Sequence, residues 1–200
     1  MALVLVRHGQ AEHNVAAEAG LADPGVFNPP LTAEGRCQVA RTAAQLPDCA
    51  VLLVSPLRRT RETAAIVAAE MTARGIEVDL VESDLAREHR TETADFVDEE
   101  ERDGMGIESD AALDARLDRL RGLLGALASR PDIRAGQSLC LVGHGDVIWQ
   151  LTARSVTIGE ETAVVGKWLP TGGMATVDVS DWPSDANEVP LSSQHNDYLE

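Results

Sequence analysis

A chain of 200 residues with 44% hydrophobic and 25% charged side chains is long enough for one well-filled core and too apolar for disorder. Its formal net charge of −16 argues against nucleic acid or an anionic membrane as a partner, because both select the opposite sign. No apolar run approaches the roughly 18–20 residues of a membrane-spanning helix, and the apolar start is cut short by Arg7 and His8, so the chain reads as cytoplasmic.

The elements follow in chain order. Leu3–Val6 is a short apolar, β-branched run ended by Gly9, the pattern of a strand buried on both faces. Thr32 is placed to cap a helix running through Ala33–Ala40 toward Leu46, with Pro47 as its stop. Ala50–Val54 is a second strand, and Ser55-Pro56 reads as N-cap and first-turn proline of a helix over Leu57 to about Ala73. Val78–Val81 is a third strand. The stretch 88–109 has weak periodicity and reads as an excursion above a sheet, with Asp98–Glu101 as a solvated acidic face. From Asp110 or Ala111 to Ser129, Leu113, Leu117, Leu120, Leu124 and Leu127 fall at helical spacing, with Leu123 at the margin. Ser138–Val142 and Ala175–Val179 complete the strands, and 183–200 reads as a polar tail. Alternating strands and helices predict an α/β fold: a single-domain three-layer α/β/α sandwich with a mainly parallel sheet over residues 1–182. Cys37, Cys49 and Cys140 lack metal-like spacing and read as reduced packing residues.

Two segments resemble each other. Leu3–Val6 leads into Arg7-His8-Gly9, and Leu139–Val142 leads into Gly143-His144-Gly145, so each apolar strand delivers His-Gly to its C-terminal end. In an open α/β sheet that edge is where ligands bind. Arg7 and the group Arg58, Arg59 and Arg61 also follow strand ends, and guanidinium forks suit phosphate oxygens. A neutral histidine with one ring nitrogen bare is a nucleophile for phosphorus in such a pocket.

Arg7-His8-Gly9-Gln10-Ala11-Glu12-His13-Asn14 resembles the signature of the histidine phosphatase superfamily, the phosphoglycerate-mutase-like proteins. Three further blocks match in order: Leu31-Thr32-Ala33-Glu34-Gly35-Arg36-Cys37-Gln38, Ser55-Pro56-Leu57-Arg58-Arg59-Thr60-Arg61-Glu62-Thr63-Ala64, and Val142-Gly143-His144-Gly145. The resemblance implies His8 as the nucleophile that carries the phosphoryl group. It implies Arg7, Arg59 and His144 on the phosphoryl oxygens, with Asn14 and Gly145 completing the phosphate site. Glu88, in Leu85-Ala86-Arg87-Glu88, resembles the family's general acid, with Glu82 and Asp84 as weaker alternatives. Two features depart from the pattern: Ala11 stands where many members carry Thr or Ser, and the glycine common after the acid is missing from His89-Arg90-Thr91-Glu92-Thr93.

His13 and His89 read as rim or surface residues, His195 as uninvolved, and Arg58 and Arg61 as helix-face ion pairs, Arg58 with Glu62. Arg87, His89 or Arg90 is placed to meet a second anionic group on the substrate. The expected activity is that of a phosphomonoesterase of the histidine acid phosphatase type, a hydrolase of small phosphorylated metabolites that needs neither metal nor cofactor. A cofactor-dependent phosphoglycerate mutase is the alternative, disfavoured because mutases of the family carry extra closing segments. A non-catalytic phospho-ligand sensor ranks third. Oligomeric state is left open. Fourteen acids against four arginines within 82–118 place most of the excess charge around Glu88 and predict a small cationic pocket inside an anionic rim.

Overall fold

The computed structural model describes residues 2–158 and 161–178. The chain runs β1 (Ala2–Arg7), α1 (Glu12–Glu18), α2 (Ala33–Ala43), β2 (Cys49–Val54), α3 (Arg58–Ala73) and β3 (Asp79–Glu82). Two 3₁₀ turns, Asp84–Ala86 and Thr93–Asp95, lead to α4 (Glu99–Met105), α5 (Asp110–Ala128) and α6 (Pro131–Arg134). Then come β4 (Ser138–Gly143), α7 (Gly145–Thr152), β5 (Arg154–Ile158), β6 (Glu161–Val165) and β7 (Met174–Asp178). The expected polar tail 183–200 and His195 lie outside the described residues.

One five-stranded sheet has the order β3-β2-β4-β1-β7. β1 to β4 are mutually parallel and β7 runs antiparallel on β1. The continuous apolar runs are explained by cover on both faces. Leu3, Leu5, Val51, Leu53, Leu139 and Leu141 pack with α5, α6 and α7, while Val4, Val6, Leu52, Val54, Cys140 and Val142 pack with α2 and α3. Alternate residues of one strand thus enter opposite cores, which makes the fold the expected three-layer sandwich. Each buried Leu or Val removes apolar surface worth about 1.5–3 kcal/mol from water.

Several local expectations need correction. α2 ends at Ala43 rather than near Leu46, and α3 begins at Arg58 with Leu57 as its N-cap. Ser55 is therefore not the cap; its hydroxyl is committed to His144 instead. The excursion 88–109 carries a 3₁₀ turn and α4. Its acidic run is not only a solvated face: Asp98 caps α4 by accepting from the Glu101 N–H at 2.9 Å, and Glu101 pairs with Arg87 at 2.8 Å. On α5, Leu127 is partly buried like Leu123, and Arg116 is buried beside the leucine stripe. Cys49 and Cys140 are buried, but Cys37 is exposed. The antiparallel pair β5–β6 was not expected from the sequence.

Candidate active site

Register brings the two His-Gly segments together. Val6 pairs with Val142 and Arg7 with Gly143 across β1 and β4, and Val54 pairs with Val142 across β2 and β4. The residues just past these strands, His8, His144 and Ser55, therefore stand side by side at the C-terminal edge. The His8 N–H donates to the Gly143 carbonyl at 3.0 Å, and the two rings lie 5.2 Å apart.

Each sequence block has a mechanical part in holding His8. Its Nδ1–H donates to the Gly9 carbonyl at 2.8 Å, which can only accept, so the proton sits on Nδ1 and Nε2 keeps its lone pair. The Gly9 N–H donates to Thr63 Oγ1 at 3.2 Å, and that hydroxyl donates to the Arg59 carbonyl at 2.8 Å, tying the loop to α3. The Gln10 N–H donates to Gln38 Oε1 at 3.0 Å, and Thr32 Oγ1, which caps α2 by accepting from the Gly35 N–H, also donates to Gln10 Oε1 at 2.9 Å. Gly35 lies so close to the Gln10 backbone that a Cβ would overlap it. α2 is thus a brace for the loop after β1.

Arg59 is 1% exposed and enters from α3. Its Nε donates to His8 Nε2 at 3.3 Å, Nη1 to the Ala94 carbonyl at 2.6 Å, and Nη2 to Asp95 Oδ1 at 3.0 Å. Asp95 Oδ2 accepts the N–H groups of Thr91 and Glu92. Sequence reasoning missed Asp95, which holds the guanidinium so that only its Nε edge meets His8. Arg7 spans the other side: Nη1 donates to the Leu169 carbonyl at 2.8 Å and the guanidinium stacks 5.0 Å from the ring of exposed Trp168. Gly145 opens α7 beneath it, and a Cβ there would sit 3.0 Å from Arg7 Cζ. His144 is fully buried, with Nε2 2.8 Å from Ser55 Oγ. Asn14 caps α1 by accepting the Ala11 N–H at 2.9 Å.

Glu88 follows the 3₁₀ turn after β3. Its Oε1 accepts the His89 N–H at 3.0 Å and the Val147 N–H at 3.3 Å, so the carboxyl rests on the first turn of α7. Burial, with Asp95 and Asp146 nearby, raises its pKa to about 7. The two weaker alternatives are occupied elsewhere. Glu82 is exposed and held by Arg61 at 2.6 and 2.7 Å, which lowers its pKa, and exposed Asp84 pairs with Arg87 at 3.1 Å. Arg58 pairs with Glu62 at 2.9 Å as expected.

A buried pair fixes the Glu88 segment. Arg116 forks onto Glu108 at 2.8 and 2.6 Å and donates its remaining hydrogens to the carbonyls of Leu85, Arg87 and Glu88. His89 joins Asp146 at 3.2 Å and the Glu108 carbonyl at 3.0 Å. Its hydrogen bond to Asp146 raises its pKa. These bonds correct two expectations. His89 is not a free rim residue, and two of the three residues thought to await a second anion are engaged, Arg87 with Asp84 and Glu101 and His89 with Asp146, whereas Arg90 stands 3.9 Å from Glu108 with its buried Nε unpartnered.

His8 and His144 are both held well below the usual histidine range, by burial first and then by the charge of Arg59. Around His8, Arg7 Nε, His144 Nδ1 and His13 Nδ1 are buried and have no hydrogen-bond partner. With the Ser55 hydroxyl donating to His144 Nε2, that ring carries its hydrogen on Nδ1, and each such orphan donor costs about 1–3 kcal/mol until something accepts from it. Among the described residues, no group of three or more His, Cys, Asp or Glu side chains could hold a metal ion, and no helix is long and apolar enough to cross a membrane.

The family model of the histidine phosphatase superfamily (branch 1) matches residues 3–174. The chain belongs to the histidine phosphatase superfamily. Solved structures agree in fold. TTHB049 from Thermus thermophilus is 25% identical, with 89% of this chain and 94% of that one covered at a TM-score of 0.55. A phosphoglycerate mutase from the same organism is 26% identical, with 89% and 93% covered at 0.54. Mycobacterial hydrolase 1 shares the fold at 22% identity, with 74% and 76% covered at 0.53. No curated protein matches the chain. Superfamily members are generally phosphatases or mutases acting on small phosphorylated substrates.

Proposed function

We propose that the protein is a metal-independent phosphomonoesterase of the histidine acid phosphatase type, working through a phosphohistidine on His8. The observation that carries this reading is the ring of partnerless buried donors around a histidine whose Nε2 is bare of hydrogen. A tetrahedral oxyanion is the ligand that satisfies several such donors at once. On binding, the phosphoryl oxygens take hydrogen bonds from Arg7, from the Nε edge of Arg59, from His144 Nδ1 and from the main chain at Gly145, where α7 begins. Asn14 flanks the phosphate site. The Nε2 lone pair of His8 attacks phosphorus as the P–O bond to the leaving group breaks, and Glu88 gives its proton to the departing oxygen. Water then loses a proton to Glu88 and attacks phosphohistidine, so inorganic phosphate leaves and His8 regains its lone pair. A carboxyl titrating near 7 suits both halves of the cycle.

The mutase reading stands second. A phosphoglycerate carries a carboxylate besides its phosphate, and Arg87 and His89 are turned toward this chain's own carboxylates. The test compares kcat/KM for an alkyl phosphate and for p-nitrophenyl phosphate in wild type and Glu88→Gln. The variant is expected to lose far more on the alkyl phosphate, whose poor leaving group needs the proton. Equal losses on both would remove Glu88 from the acid role, and conversion of 3-phosphoglycerate to 2-phosphoglycerate faster than hydrolysis would make the protein a mutase.

A further inference from the structure

Three imidazoles meet around the phosphoryl position, and the mechanism above uses only two. The third, His13, lies with its ring 6.0 Å from that of His8. Its tautomer is fixed by a chain of bonds inside α1. The Ala11 N–H donates to Asn14 Oδ1 at 2.9 Å, which orients the amide, and Asn14 Nδ2 then donates to His13 Nε2 at 3.1 Å. A neutral ring that accepts at Nε2 carries its hydrogen on Nδ1. That Nδ1 is buried and has no partner. Burial first, then the charges of Arg59 and Arg7 against a weaker pull from Asp23, hold the ring's pKa to about 3, so it stays neutral through the working range.

We propose that His13 is a further catalytic residue, whose neutral Nδ1–H donates to a non-bridging phosphoryl oxygen while the group passes from substrate to His8, with Asn14 as the residue that positions it. This deepens the phosphatase reading and rests on it. Phosphoryl transfer spreads charge over three equatorial oxygens, and a preorganised donor gains strength as that charge grows. Asn14, expected from the family resemblance to contact phosphate itself, acts here through the ring it orients. No proton moves in this step, since His13 only donates a hydrogen bond.

The experiment uses the full chain, p-nitrophenyl phosphate as substrate and orthovanadate as the probe of the pocket. His13→Phe is expected to lower kcat/KM about 10- to 100-fold, toward the cost of one lost oxyanion donor, and to weaken vanadate inhibition by a similar factor. His13→Gln, which restores an N–H, is expected to recover part of both. Asn14→Asp replaces the amide donor by an acceptor and draws the ring proton to Nε2. It should behave like His13→Phe, and ¹⁵N spectra of the histidines should show Nδ1 protonated in wild type and Nε2 protonated in the variant. Because a carboxylate at position 14 also repels phosphate, the donor role is read from His13→Phe beside His13→Gln, and a merely structural residue would give equal losses in both. Unchanged kcat/KM and vanadate affinity in His13→Phe would overturn the proposal, as would an Nε2-protonated His13 in the wild type. If wild type released no phosphate while vanadate binding still depended on His13, the phosphatase reading would fall and the donor assignment would stand.

Discussion

Replacing Arg116 by Met leaves a side chain of similar reach in place but removes every donor that holds the Glu88 segment. Both Glu108 oxygens lose their fork, and the carbonyls of Leu85, Arg87 and Glu88 lose their partner. Glu108 and Arg116 side chains are 3% and 6% exposed, so the orphaned carboxylate has little access to water. Breaking one side of a buried pair costs about 3–5 kcal/mol. In a domain of this size each kcal/mol lowers Tm by about 2–4 °C, so the variant should melt roughly 6–20 °C below wild type. Adding Glu108→Gln removes the buried charge and should return part of that loss, a coupling that a double-mutant cycle in urea reads directly. The catalytic effect should be selective: with Glu88 no longer held on α7, kcat/KM should fall more on an alkyl phosphate than on p-nitrophenyl phosphate. A stability change below about 1 kcal/mol would refute the buried-pair argument, since surface substitutions have effects of that size. Equal catalytic losses on the two substrates would refute the link to Glu88.

The same site sets four further outcomes. Because Glu88 titrates near 7 and must carry a proton to protonate the leaving oxygen, kcat/KM for alkyl phosphates should fall as pH rises through about 7, and Glu88→Gln should lack that fall. His8 and His144 stay neutral well below the usual histidine range, so neither should add a limb near pH 6.5, and one that vanished in His144→Gln would contradict this. Gly145→Ala puts a methyl 3.0 Å from Arg7 Cζ, and the displaced guanidinium should cost roughly 10- to 100-fold in kcat/KM with the fold retained by circular dichroism; full activity would mean that Arg7 is not set against Gly145. Capture of multiply charged phosphates past the acidic rim should quicken as salt rises, and a steep fall in kcat/KM with salt would show that the rim is not anionic toward substrate.

The centre of the sheet was legible because β1, β2 and β4 are buried on both faces, and such strands read as unbroken apolar runs. The four family blocks singled out His8, Arg59 and His144 as candidates, the Leu-x-x-Glu context after the third strand singled out Glu88, and register brings the two histidines together. The residues that support them were not. Asp95 meets Arg59 across 36 positions in a segment with no hydrophobic period. Arg116 looks like one more charge flanking the leucine stripe of α5, and only the carbonyls of a distant loop explain its burial. His13 carried a signal that could have been used: an asparagine directly after it, as the third residue of a short helix, is placed to cap that helix and to hold the neighbouring ring. Ser55 misled because Ser-Pro is a common helix start, whereas here its hydroxyl serves His144.

The covalent intermediate on His8 can be trapped. Glu88→Gln should still be phosphorylated by p-nitrophenyl phosphate, whose leaving group needs no acid, yet should turn over slowly because water lacks its base. Rapid mixing followed by quenching in alkaline denaturant, where the P–N bond survives, and peptide mass spectrometry should find one phosphoryl group per chain on His8, formed in step with a stoichiometric burst of p-nitrophenolate. No burst, a phosphoryl group on another residue, or the same label in His8→Ala would exclude His8 as the nucleophile.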